Sequence, residues 1–353
     1  MLVTKVSGVV NMKDEKTTEL DNVRVLNGCK KTFSNVSITI ISCVSIINAE
    51  IISRRLLLII LQQIRMHKPS QIITLTTDFG TSDVYVGVMK GVILNINPNA
   101  KIVDITHSIT PQNIREAAFT INAAYRFFPK GTIHVIVVDP GVGSDRQAIV
   151  FHTDTSYFVC PNNGVLSYLL QDNESEKKPL AEAVVIQNPD YLLPRVCNTF
   201  HGRDIFAPVA AHLSLGITPD RIGQPKTDLV RLTIPALEIT ENTLTGEIIN
   251  VDSFGNLITN ISENVLTSFL LSSTSEMEGI RELDRHVEVV DFEISVGTTS
   301  INRLNSTYTE SQAGTLLAII SSFGLVEIAV NMGNASSYLG LKIGDKVMVH
   351  KKV

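Results

Sequence analysis

The stretch "VVDPGVGSDRQAI" (137–149) ends an apolar run on an acid, Asp139, and returns an arginine, Arg146, seven residues later. A Pro-Gly-Val-Gly turn between them brings a carboxylate and a guanidinium to the end of a buried strand. Two further polar clusters have the same character. Asp78 follows an apolar strand in "TTDFGTSD", and His201 stands in "TFHGRD" at the entry to a helix. Taken singly, each has a plain structural reading: a surface ion pair, a helix cap, a turn histidine. Asp78 and Asp139 both end apolar strands, which favours a catalytic cluster at a sheet edge over separate structural features.

Other chemistries lack their signatures. No G-x-G-x-x-G or Walker loop is present, which disfavours binding of nucleotide phosphates. There is no G-x-S-x-G elbow. His201 and His212 are eleven apart and no H-x-x-x-H pair occurs, so no metal site is expected. The four cysteines, Cys29, Cys43, Cys160 and Cys197, show neither disulfide-framework nor zinc spacing. They read as reduced cytosolic thiols, with Cys160 and Cys197 in the core. The formal net charge is −5 and no basic block exists, which argues against nucleic acid as a partner.

The elements that must position these residues begin at Ile72. "IITLTT" reads as a strand ending at Asp78. A helix follows with Val84, Val88 and Val92 at helical spacing, and Ser82 or Asp83 can cap it. "KIVDIT" is a second strand. The helix "NIREAAFTINAAYRFF" carries Ile114, Ala117, Ala118, Ile121 and Ala124 on one face. "TIHVIVVD" is a third strand. This alternation predicts an α/β domain with a mainly parallel sheet, whose ligands gather beyond the carboxyl ends of the strands. Past residue 228 the texture changes to short alternating strands between turns, which predicts an all-β, barrel-like domain. The polar stretch 271–286 reads as a helix-prone surface excursion. The expected organisation is a leader over 1–70, an α/β domain over 71–227 and a β domain over 228–353. Within the leader, 32–49 is uncharged but broken by Ser, Thr and Asn, too interrupted for a membrane span.

Six ordered segments carry a resemblance: "TLTTDFGTSDVYVGVMKG", "VVDPGVGSDRQAI", "PNNGVLS", "TFHGRDIFAPVAA", "VDSFGNLITNI" and "SSFGLVEIAVNMGNASSYLGLKIGD". In these the chain resembles the S-adenosylmethionine hydroxide adenosyltransferases, relatives of fluorinating and chlorinating enzymes that use the same substrate. The resemblance runs from about Ile72 to the C-terminus, and residues 1–65 have no counterpart. A chain starting at Met66 is therefore expected to fold and react like the whole.

The resemblance implies a cytoplasmic hydrolase that converts S-adenosyl-L-methionine to adenosine and L-methionine without a cofactor. It implies a homotrimer with sites between subunits, and Asp139, Arg146 and His201 acting on the water. It places Asp78 on the ribose diol, with Ser82 and Asp83 close by. Asp252 falls on the methionine ammonium, Phe254 and Asn256 on adenine, Ser322 near the methionine carboxylate, and the Met332 backbone on adenine. Phe323 stands where the fluorinating relative has an arginine, so nothing is carried over there. Two alternatives stay open: a halogenase of the same fold, against which Arg146 and His201 speak, and a catalytically silent binding protein.

Overall fold

The computed structural model describes residues 18–20, 38–40, 69–175, 182–271 and 291–352. The chain forms two compact units, Met1–His67 and Lys68–Val353. In the first, β1 (Thr18–Leu20) and β2 (Ile38–Ile40) pair antiparallel. The remaining leader and the excursion expected at 271–286, beyond its first residue, lie outside the described residues.

The second unit opens with a seven-stranded sheet. Its strands are β3 (Ile72–Thr77), β4 (Lys101–Thr106), β5 (Thr132–Val137), β6 (Ala148–His152), β7 (Ser156–Pro161), β8 (Glu182–Ile186) and β9 (Gly223–Lys226), in the order β4-β3-β5-β7-β6-β8-β9. The β3, β4, β5 and β7 pairings are parallel, whereas β6, β8 and β9 pair antiparallel. A short connection joins β6 to β7 as a hairpin, which can only be antiparallel. The central strands β5 and β7 are buried throughout, as a sheet covered on both faces requires.

Helices cover both faces. On one, α1 (Tyr85–Ile96) lies with α4 (Ala207–Ser214), and Val86, Met89 and Ile93 join Ile73, Val135 and Val209 in one core. The buried stripe of α1 is therefore not Val84, Val88 and Val92. Val84 is the N-cap and 72% exposed, and no side chain caps the helix, so Ser82 and Asp83 do not have the expected role. All six valine and isoleucine positions could form an apolar stripe, and packing against α4 chose the one containing Met89. The other face holds α2 (Ile114–Ala124) and α3 (Ser167–Ser175), with Ala117 and Ile121 packed beside Ile136, Phe158 and Leu169. Asn113 caps α2 by accepting from the Glu116 amide.

Strands β10 (Glu238–Ile239) to β18 (Lys346–Lys351) form a curled nine-stranded sheet, antiparallel except at one edge. Between them run β11 (Thr243–Val251), β12 (Leu257–Ser262), β13 (Phe292–Val296), β14 (Thr299–Ile301), β15 (Leu304–Asn305), β16 (Leu316–Ile320) and β17 (Leu325–Val330). The long β11 makes the curl. Its first half pairs with β18 and its second with β12, with a register shift between Ile248 and Asn250. A Cβ at Gly246 would stand 2.5 Å from the Asn260 side chain and 2.6 Å from that of Ile261, so this close approach favours a residue without one.

The sequence reading did not anticipate the helix Glu263–Leu271, which follows β12 and buries Leu266 and Phe269. Ser262 starts it by accepting from the Val265 amide. Phe119, on the outer side of α2, packs with Ile249 and Ile258 and meets Phe323 edge-on at 5.8 Å, joining the β sheet to the α/β layers. Cys160 is buried as expected; Cys197 is only half-buried, on a loop. Among the described residues no helix is long and apolar enough to cross a membrane.

Candidate active site

Thr77 and Val137 are register partners on the adjacent parallel strands β3 and β5. Asp78 and Asp139 follow them by one and two residues, so topology alone sets two carboxylates side by side at the carboxyl edge. They open onto a cavity of about 390 Å³, also lined by Phe79, Tyr85, Gln112, Phe200 and His201.

The 137–149 turn folds back as its glycines suggest. The Val142 amide bonds to the Asp139 carbonyl. Gly143 has φ +78°, and a Cβ there would collide with the Asn198 carbonyl oxygen. That close approach packs the turn against the segment leading to His201. Arg146 then grips Asp139 with two donors. Nε lies 2.9 Å from Oδ1, and Nη2 bonds Oδ2. The pair is buried, with side-chain exposures of 10% for Arg146 and 5% for Asp139. The Arg146 guanidinium also stands over the Phe206 ring at 5.4 Å.

The same Nη2 meets Nδ1 of His201 at 2.5 Å, across 55 residues of sequence. Guanidinium can only donate, so Nδ1 is the acceptor and the neutral imidazole carries its proton on Nε2. Burial, and then the positive charge of Arg146, hold His201 below its ordinary pKa. The imidazole is thus kept neutral with a donor at its other nitrogen.

His201 sits where the chain enters a π-helical turn, Gly202–Phe206, that runs into α4. Arg203 and Asp204 lock that turn. Arg203 Nε donates to Asp204 Oδ1 at 2.6 Å, and the wholly buried Asp204 accepts from the Cys197 amide at 2.9 Å. Burial opposes ionisation of Asp204, but the bonds from Arg203 and Cys197 prevail and hold its pKa below the ordinary value. Arg203 also lies over the Phe200 ring at 5.3 Å.

Asp78 has a different setting. Its Oδ2 accepts the Gln112 amide at 2.8 Å. Gln112 has φ +66°, a costly left-handed conformation that aims this N–H at the carboxylate. Phe79, Tyr85 and Phe200 form an aromatic triangle with centroids 5.2 to 5.9 Å apart. Ser82 and Asp83 lie on an exposed bend before α1 and do not line the cavity.

The remaining expected residues stand on the β domain, away from this cavity. Asp252 organises its own turn: Oδ1 accepts the Phe254 and Asn256 amides, both at 2.9 Å, and Oδ2 accepts Asn256 Nδ2 at 3.0 Å. Phe254 and Met332 are 74% and 90% exposed. The turn is tied to the Met332 loop because the Ser336 amide donates to the Gly255 carbonyl. Met332 itself has φ +57°. Ser322 lies at the opposite end of β17, a strand spanning roughly 20 Å. Below the Asp252 turn, Glu327 is buried; burial raises its pKa despite a 2.7 Å bond from the Tyr308 hydroxyl. Among the described residues no three His, Cys, Asp or Glu side chains gather as a metal site.

Both halves of this second unit have counterparts. Residues 73–223 match the SAM hydroxide adenosyltransferase N-terminal domain, and residues 246–348 match the C-terminal domain of the same family. The chain belongs to the SAM hydroxide adenosyltransferase family. It is 35% identical over 280 residues to the (R)-S-adenosyl-L-methionine hydrolase of Salinispora arenicola, covering 78% of this chain and 97% of that protein. The protein of the same name from Thermus thermophilus is 35% identical, covering 77% and 96%. A fluorinase of Actinopolyspora mzabensis is more distant at 26% identity, covering 79% and 96%. The crystal structure of an uncharacterized conserved protein from Thermotoga maritima superimposes with a TM-score of 0.68 at 36% identity, covering 79% of this chain and all of that one.

Sequence reasoning passed over Arg203, Asp204, Gln112 and the aromatic triangle. The first two stand inside a quoted motif and were legible as a charged pair entering a helix. Gln112 had no signal, because its contribution is a backbone N–H at an unusual φ.

Proposed function

We propose that this protein hydrolyses S-adenosyl-L-methionine to adenosine and L-methionine by in-line attack of water on ribose C5′. The substrate form is the one with R configuration at sulfur, as in the names of its relatives. The observation that carries the reading is Arg146 clasping both Asp139 and His201, two residues that line the cavity. Asp139 accepts two bonds from Arg146 and keeps a further lone pair on each oxygen for a water proton. His201, neutral and protonated on Nε2, donates to the water oxygen and fixes its orientation. Arg146 holds the two in register and favours negative charge developing on oxygen. The division differs from a simple imidazole base: Asp139 takes the proton and His201 aims the nucleophile.

The leaving group is a sulfonium, which departs as a neutral thioether. It needs no acid, and the reaction as proposed uses no metal or organic cofactor. Asp78 accepts from the ribose hydroxyls. Asp252, Phe254, Asn256, Ser322 and Met332 are proposed to complete the site from a neighbouring subunit of a homotrimer, which accounts for an aromatic and a methionine left so exposed. With no paired-cysteine spacing, the enzyme is proposed to be cytoplasmic.

The test is turnover in ¹⁸O-labelled water, with and without chloride or fluoride. The expected product is adenosine carrying the label at its 5′ oxygen. A 5′-halo nucleoside in place of adenosine would overturn the reading in favour of the fluorinase-like alternative.

A further inference from the structure

Behind the Asp78 loop lies a chain of polar groups that the proposed reaction does not use. His107 is buried, at 6% exposure. Its Nδ1 is 2.9 Å from the Thr77 hydroxyl, and that hydroxyl also receives the Phe79 amide at 3.2 Å. Its Nε2 faces Asp104 Oδ1 at 3.0 Å, in a bent approach rather than a linear bond. Asp104 in turn accepts from Lys90 at 2.6 Å, on the exposed edge strand β4. The His107 carbonyl also receives the Gly80 amide at 2.8 Å, and the Thr77 carbonyl the Ile109 amide at 3.4 Å. Residues 77 and 80 are therefore tied directly to the 107–109 segment, residue 79 is held through the Thr77 hydroxyl, and Asp78 stands among them.

The proton positions follow from the partners. Nε2 faces a carboxylate and carries the hydrogen, so Nδ1 accepts. The Thr77 hydroxyl must then donate to Nδ1, which leaves its lone pairs for the Phe79 amide. Each group has one consistent role: donation runs outward from the Phe79 amide through Thr77 and His107 toward Asp104, which Lys90 meets as a second donor. An apolar side chain in place of His107 would fill the space but leave the Thr77 hydroxyl free to turn.

We propose that His107 is a positioning residue for ribose recognition, fixing the Asp78 carboxylate through Thr77 and the backbone of residues 79 and 80. This rests on the reading of Asp78 as the ribose-binding acid.

The test is calorimetric binding of adenosine and of 2′,3′-dideoxyadenosine to the full chain, since the two differ only in the groups Asp78 would hold. The wild type is expected to prefer adenosine, and Asp78→Ala to abolish that preference. Thr77→Val and His107→Ala should each reduce it by about fivefold, the equivalent of one net hydrogen bond, with dideoxyadenosine affinity unchanged. Thr77→Val keeps the side-chain shape, so it decides the question if His107→Ala fails to fold. Full preference in Thr77→Val, alongside its loss in Asp78→Ala, would overturn the relay and leave the Asp78 reading standing. Equal weakening of both ligands would show a merely structural role and also overturn it. A preference that survives Asp78→Ala would overturn both readings.

Discussion

Replacing Arg146 by methionine tests the centre of the site. Methionine keeps an unbranched apolar stem near Phe206 but removes every donor. Asp139 then loses two charge-assisted hydrogen bonds in a place where its side chain is 5% exposed. His201 loses the donor at Nδ1, so its proton can settle on either nitrogen. Removing one partner of a buried ion pair costs about 3–5 kcal/mol, because the other charge is left without compensation. If that cost falls on the transition state, kcat drops by roughly two to four orders of magnitude. The affinity for adenosine should change little, because Asp78 lies outside the triad's hydrogen bonds. The double variant Asp139→Asn/Arg146→Met removes the stranded charge. It should regain much of the lost stability and none of the activity. The assay pairs thermal unfolding with turnover of S-adenosyl-L-methionine for the wild type, both single variants and the double variant. An Arg146→Met protein with wild-type melting temperature and activity within tenfold of wild type would refute the argument.

Two further outcomes follow from protonation. His201 is held below its ordinary pKa of 6.5 by burial and then by Arg146, so its neutral form persists to lower pH than a free imidazole. The acid limb of kcat/KM attributable to it should lie below pH 6.5 and vanish in His201→Gln; a limb at or above 6.5 would contradict the assignment. Elsewhere, burial beside Phe158 and Phe128 lowers the pKa of His134 to about 3. The unfolded chain takes up this proton near pH 6.5 and the native state does not, so stability is intact above 6.5 and falls as pH drops toward 3. The loss is about 2 kcal/mol at pH 5. His152 and His212 are shifted the same way by burial and add to the slope. The stability of wild type relative to His134→Leu should therefore fall as pH drops from 7 to 4.5, and a constant difference would show that His134 stays hydrated.

What could be read from the sequence was local. Asp139 and Arg146 lie seven residues apart across a glycine turn, and no distant contact is needed to bring them together. Asp78 and Asp139 end apolar runs separated by helices, and parallel crossover connections deliver such strand ends to one edge. The stripe on α2 was legible because Ile114, Ala117, Ala118 and Ile121 recur at helical spacing between charged and polar residues. On α1 both candidate stripes are apolar, so packing on α4 had to choose between them. Strand order at the far side of the sheet, with β7 inserted between β5 and β6, depends on pairings between distant segments that leave no periodic trace. The same holds for the contact of Arg146 with His201. The resemblance grouped Asp139, Arg146 and His201, but only the close approach of Gly143 to the 198–201 segment sets the guanidinium against Nδ1. That contact determines which nitrogen of His201 keeps the proton, because a tautomer is set by a neighbour in space and not by a neighbour in sequence.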